Sequence, residues 1–245
     1  MKAFMVAGFC CVFLSLGCQQ ADTVVTDVDR YAALIAVKPE YEERYIILHK
    51  NAFPQVLEAI YEANIINYSI FLHDGLLFSY FEYAGNDFDA DMGAIAQDST
   101  SQEWWKLTDP MQKPLTTRKE GEWWASMDSF FGRPVKSEPS KNCQRFAVIA
   151  RVMPGHRVQL KRILGEPPES FLQHCIDHSI QNVSLFAHAD YICLYYEYNG
   201  KEYAKDIRAL QSKPIFKTWK DEIYSHLCGE KEEAWTQMRS VFYTP

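Results

Sequence analysis

Asn67-Tyr68-Ser69-Ile70-Phe71 returns as Asn182-Val183-Ser184-Leu185-Phe186, 115 positions further along the 245-residue chain. Two other segments keep the same spacing. Val37-Lys38-Pro39 answers to Val152-Met153-Pro154, and Phe81-Glu82-Tyr83-Ala84-Gly85 answers to Tyr196-Glu197-Tyr198-Asn199-Gly200. The spacing contracts to 114 at Trp105/Trp219 and to 111 at Trp124/Trp235 and Met127/Met238, so the length changes fall between motifs, where loops belong. A period this long is too large for a solenoid unit and matches a small domain, so the chain reads as two copies of one domain.

Within the first copy, residues 30–37 are strand-like, and Pro39 opens a helix that runs to about residue 63. Pro54 should kink that helix or split it. Residues 67–72 and 76–83 read as strands joined by the hairpin signal His73-Asp74-Gly75. Residues 87–98 read as a second helix, with a short helical stretch around Trp104 after it, and residues 125–131 as a last strand. The order βαββαβ predicts an α+β class, a ferredoxin-like domain with helices on one face of an antiparallel sheet. The uncovered sheet face carries apolar side chains, and the second copy can cover it. The expected fold is two tandem ferredoxin-like domains packed sheet to sheet, a pseudo-dimeric α/β barrel within one monomer. The expected boundaries are a domain at 30–133, a Pro/Ser/Lys-rich linker at 134–142 and a domain at 143–245.

The N-terminal residues 1–18 read as a secretion signal. Lys2 precedes an apolar run at 3–16 that is too short to span a bilayer comfortably. Leu14-Ser15-Leu16-Gly17-Cys18 resembles a bacterial lipobox, with Cys18 as the lipidated residue and 19–29 as a polar tether. The expectation is an exported lipoprotein, periplasmic or at the surface, touching the membrane only through that anchor; plain secretion is the next reading. The net charge of −7 argues against a nucleic-acid partner. Cys143, Cys175, Cys193 and Cys228 contain no close metal-binding pair, and their disulfide state is open. His174 and His178 share a helix face without an evident third ligand, so no metal is expected. His73 and His188 occupy equivalent hairpin positions and read as turn residues, while Glu82 and Glu197, kept in both copies, read as structural.

Tyr45 and His49 lie four apart, one turn above the other on a helix face. Histidine is the side chain that titrates unperturbed near neutrality, and a nearby phenol can hold or relay a proton. Tyr68, Trp104 and Trp105 add flat faces edged by single donors, which suits a sugar whose C–H faces stack while its hydroxyls hydrogen-bond. In the second copy the equivalent positions hold Leu160, Leu164, Val183 and Thr218, with Trp219 alone retained. A block change of this kind points to a site present in one copy and lost from the other.

The stretches Tyr45-x-x-x-His49, Phe53-Pro54, Asn67-Tyr68-Ser69-Ile70, Trp104-Trp105 and Met127-x-x-Phe130-Phe131 resemble the L-rhamnose mutarotase family over about residues 30–133. The second copy resembles it more distantly through Asn182, Trp219 and residues 238–243. The resemblance implies an aldose 1-epimerase acting on a 6-deoxyhexose such as L-rhamnose or L-fucose, without metal or organic cofactor. It also implies His49 as proton donor and Tyr45, Tyr68, Trp104 and Trp105 as sugar-contacting residues. Where the family usually has Arg before the histidine and Trp-Pro-Glu after it, this chain has Leu48 and Phe53-Pro54-Gln55. Two other readings share these features, a non-catalytic sugar-binding lipoprotein and an oxygenase or haem-handling protein of similar fold.

Overall fold

The computed structural model describes residues 28–132, 143–165, 167, 169–230 and 234–245. The expected signal with Cys18, most of the tether and the linker at 134–142 lie outside the described residues. The first half runs β1 (Asp29–Val37), a 3-10 turn, α1 (Glu42–Lys50), α2 (Pro54–Glu62), β2 (Ile65–His73), β3 (Leu76–Tyr83), α3 (Phe88–Gln97), α4 (Ser99–Thr108), a second 3-10 turn, then β4 (Gln112–Lys113), β5 (Ala125–Ser126) and β6 (Asp128–Gly132). The second half repeats this order as β7 (Gln144–Arg151), α5 (Arg157–Gly165), α6 (Glu169–Asp177), β8 (Ile180–His188), β9 (Tyr191–Tyr198), α7 (Tyr203–Gln211), α8 (Pro214–Tyr224), β10 (Thr236–Gln237) and β11 (Arg239–Thr244).

Pro54 splits the first helical stretch. Phe53 before it is extended (φ −61°, ψ 131°), because a proline ring disfavours the helical conformation of its predecessor, and Pro54 then starts α2. The helix around Trp104 is longer than its sequence suggests. Asp98 ends α3 in an extended conformation and its carboxylate accepts from the Ser101 backbone N–H at 2.5 Å, capping a ten-residue α4.

Both sheets are antiparallel, ordered β11-β2-β3-β1-β4, with β5 also on β1, and β10-β7-β9-β8-β6. The expected last strand at 125–131 needs a correction, since it serves two sheets. Ala125–Ser126 pairs with β1, whereas Asp128–Gly132 pairs with β8 in the opposite sheet. Between them the Met127 N–H bonds the Ala32 carbonyl at 2.9 Å while its side chain joins the apolar layer between the sheets, so the chain crosses over there. The second half mirrors the exchange, with β10 on β7 and β11 on β2. Local patterning marks these residues as strand but carries no information on a partner so distant in sequence.

One face of each sheet is covered by its helices. The other two faces meet in a common core that includes Leu34, Phe71, Phe78 and Tyr80 from the first half and Ala147, Ile149, Phe186 and Tyr195 from the second. The rings of Tyr80 and Tyr195 stack there at 3.7 Å. Beside them lies a buried polar knot. The Asn67 side-chain amide donates to Oε1 of both Glu82 (2.9 Å) and Glu197 (2.6 Å), and Asn182 donates to the same two carboxylates. Tyr80 and Tyr195 each add a phenol donor at 2.8 and 2.9 Å, and Arg145 braces Asn67 at 3.0 Å. Burial pulls the Glu197 carboxyl upward, but the donors from Asn182, Asn67 and Tyr195 and the nearby Arg145 charge outweigh it and hold Glu197 below the usual range.

His188 also departs from its expected role. It is a buried residue at the end of β8, its Nδ1 on the Ser126 carbonyl and its Nε2 on Thr117, both at 2.9 Å, so it ties the halves together rather than shaping a turn. The cysteines among the described residues are free thiols, three of them buried. No helix among those residues is long and apolar enough to cross a membrane.

Candidate active site

The side chains of Tyr45, His49, Tyr68, Trp104 and Trp105 line one cavity of about 360 Å³ on the helical side of the first sheet. Tyr45 and His49 come from the inward face of α1. The imidazole lies over the phenol ring at a centroid distance of 3.9 Å, and its Nδ1 is 2.9 Å from the Tyr45 carbonyl. A carbonyl can only accept, so Nδ1 carries the hydrogen and Nε2 is left as an acceptor. Trp104 of α4 presents its edge to the imidazole at 5.1 Å and is itself packed by Phe53.

Tyr68 reaches the cavity because β2 is bulged. Ile66 pairs with Glu82 and Ser69 with Tyr80, so β2 carries one extra residue. Asn67 takes the left-handed conformation (φ 52°) that asparagine tolerates better than other side chains with a Cβ. The bulge sends Asn67 into the inter-sheet knot and Tyr68 and Ile70 to the helical face. Phe242 of β11 closes that side, edge-on to His49 at 5.9 Å and to Tyr68 at 5.4 Å. A residue from the second half thus completes the packing of the first half's cavity.

Six further residues line it: Ile70, Thr108, Asp109, Gln112, Trp123 and Trp124. Sequence reasoning did not assign them to the site. The signal was present at Thr108, four residues after Trp104 on a helix read as shorter than it is, and at Asp109, which opens the 3-10 turn that follows. Gln112 donates to the Tyr45 hydroxyl oxygen at 3.3 Å and accepts from the Trp123 indole N–H at 2.7 Å, which fixes the phenol from behind. With its oxygen already accepting, Tyr45 has its own O–H free to point elsewhere.

Burial dominates the electrostatics. It lowers the His49 pKa to about 4, the hydrogen bond that Nδ1 donates to the Tyr45 carbonyl opposing in part, so the imidazole is neutral at pH 7. Burial raises Tyr68 to about 12 and Asp109 above the usual carboxylate range, and Tyr45 well above the phenol range, with the Tyr68 and Asp109 charges contributing to Tyr45. Among the described residues that line the cavity Asp109 is the one carboxyl group, and no lysine or arginine joins it. A cavity of aromatic walls, neutral hydrogen-bonding groups and no cation suits an uncharged polyol better than a phosphorylated one. Among the described residues no group of three or more potential ligands is arranged to hold a metal ion.

Solved structures of similar fold include a protein assigned as a monooxygenase from Fusobacterium nucleatum (TM-score 0.54, 15% identity, 87% of this chain and 92% of that one). Another, from Lactobacillus acidophilus and assigned likewise, gives a TM-score of 0.54 at 6% identity over 89% and 96%. Identities this low speak for the fold alone. Sequence comparison is more specific. The L-rhamnose mutarotase of Listeria monocytogenes is 32% identical over 88 residues, 35% of this chain and 82% of that protein. The L-rhamnose mutarotase of Ligilactobacillus salivarius is 34% identical over 98 residues, 36% and 88% of the two chains. The sequence pattern of the family described as L-rhamnose mutarotase matches residues 30–132, the half that carries the cavity. The chain belongs to the L-rhamnose mutarotase family.

Proposed function

We propose that the first half interconverts the anomers of a neutral 6-deoxyhexose, L-rhamnose or L-fucose, by acid/base ring opening and closure. The observation that carries this reading is an imidazole whose Nδ1 is held by a carbonyl and whose Nε2 is left to accept, stacked on an oriented phenol inside an aromatic cavity with one carboxyl group among its described residues. Mutarotation needs one proton removed from the anomeric hydroxyl and one delivered to the ring oxygen. His49 Nε2 takes the first. The second is assigned to Asp109, the carboxyl group among the described residues that line the cavity. The C1–O5 bond breaks, the aldehyde forms, and rotation about C1–C2 presents its other face. On closure O5 attacks C1 and returns its proton to Asp109, while the new anomeric oxygen takes the proton back from His49. The resemblance implies a donor role for His49; in the mechanism proposed it accepts the proton in ring opening and donates it back in ring closure. Tyr45, Tyr68, Trp104 and Trp105 hold the sugar.

We assign the catalytic half to residues 30–133 and a degenerate partner to 143–245, joined by 134–142 as an internal pseudo-dimer of a monomeric protein. The repeated element order and the shared inter-sheet core support that division. The reading of Cys18 as a lipid anchor on an exported protein rests on the sequence of residues 1–18. Saturation-transfer NMR on L-rhamnose and L-fucose tests the activity. Exchange between anomers above the uncatalysed rate is expected, and His49→Ala should remove it. Sugar binding without exchange in the unaltered protein would leave only a binding function.

A further inference from the structure

The second half holds a cavity of its own, larger than the first at about 570 Å³, at the equivalent place in the repeat. Leu164 stands where the first half has His49, Val183 where it has Tyr68, Leu185 where it has Ile70, and Trp219 where it has Trp105. Phe131 from the first half lines it, as its counterpart Phe242 closes the other. An open apolar pocket of several hundred cubic ångströms is the usual form of a ligand site.

The polar atoms near this cavity are largely spent on one another. The Tyr196 and Tyr203 hydroxyls are bonded together at 2.6 Å. The Trp219 indole N–H donates to the Ile163 carbonyl at 3.3 Å, which leaves its ring faces as carbon surface. One charged group joins the lining, Lys220 of α8, half-buried with its ammonium 5.2 Å from the Tyr224 ring centroid. Among the described residues no aspartate or glutamate lines the cavity, so a ligand carboxylate would meet the Lys220 cation there.

We propose that the second half binds a hydrophobic monocarboxylate, its hydrocarbon body among Leu164, Val183, Phe171 and Trp219 and its carboxylate at Lys220. On this reading the second copy exchanged one ligand class for another when it lost Tyr45, His49 and Tyr68 equivalents. The binding stands independently of anomer exchange in the first half.

The test is calorimetric titration of the full chain with dodecanoate, with dodecanol as the neutral match. Saturable binding at one site per chain is expected, with dodecanol at least tenfold weaker. Lys220→Met should weaken dodecanoate about tenfold and leave dodecanol unchanged. Val183→Tyr restores the side chain that the first half already accommodates, and it should abolish binding of both by filling the cavity. His49→Ala should change neither. Absence of saturable dodecanoate binding would overturn the proposal, as would dodecanol binding equally well or dodecanoate affinity unmoved by Lys220→Met. That last variant lies at the cavity edge, so it remains informative even if Val183→Tyr fails to fold.

Discussion

Acidification should destabilise this protein through His49, and the repeat supplies the control. The imidazole is buried and its pKa falls from 6.5 to about 4 on folding. Between those values the unfolded chain binds the proton and the folded chain does not, so stability falls as pH drops from 6.5 toward 4 and is unaffected by this group above pH 7. Integrating the two titrations from pH 7 to pH 5 gives a loss of about 2 kcal/mol from this residue alone. His49→Leu places there the side chain that the second half carries at Leu164. Urea unfolding of both proteins at pH 7 and pH 5 reads the difference. The unaltered protein should lose about 2 kcal/mol more than the variant over that interval, since every other titrating group is common to both. An imidazole resonance titrating with a midpoint near 6.5 in the folded protein, or pH dependences differing by less than about 0.5 kcal/mol, would refute the account of His49 as a neutral, desolvated group.

Asp109→Asn should lower anomer exchange about a hundredfold while leaving KM for the sugar nearly unchanged, because it removes a transferable proton and keeps the shape; steady-state saturation-transfer rates at several sugar concentrations separate the two. The acid limb of the exchange rate against pH should lie near 4 and not near 6.5, as His49 loses its acceptor nitrogen only when protonated. Asn67→Ala should destabilise the protein by about 3 kcal/mol in urea unfolding, since two buried carboxylates lose the amide that bridges them.

The elements of the first half were legible from local chemistry. Pro39, Pro54 and the His73-Asp74-Gly75 turn punctuate the chain, and each acts through backbone geometry that a few residues determine. Tyr45, His49, Tyr68 and Trp104 were legible because the second copy, with Leu160, Leu164, Val183 and Thr218, acts as an internal contrast. Asp109 and Gln112 escaped for a different reason. Their place depends on where α4 ends and on a 3-10 turn after it, and Asp98 sets that register through a cap whose effect reaches a full ten residues. The strand exchange was illegible in principle, because an alternating stretch specifies a face and not a neighbour. Phe242 could reach the first cavity only once β11 was known to lie on β2.

That exchange sets an order on assembly. The outer edge of β2 is covered by residues 239–244, which leave the ribosome roughly 170 residues after β2 itself. Throughout that interval the first half presents an unpaired strand and a bare apolar sheet, the features that recruit chaperones or stray copies. The second half is therefore both lid and latch: the first cavity lacks its Phe242 wall until that final strand arrives.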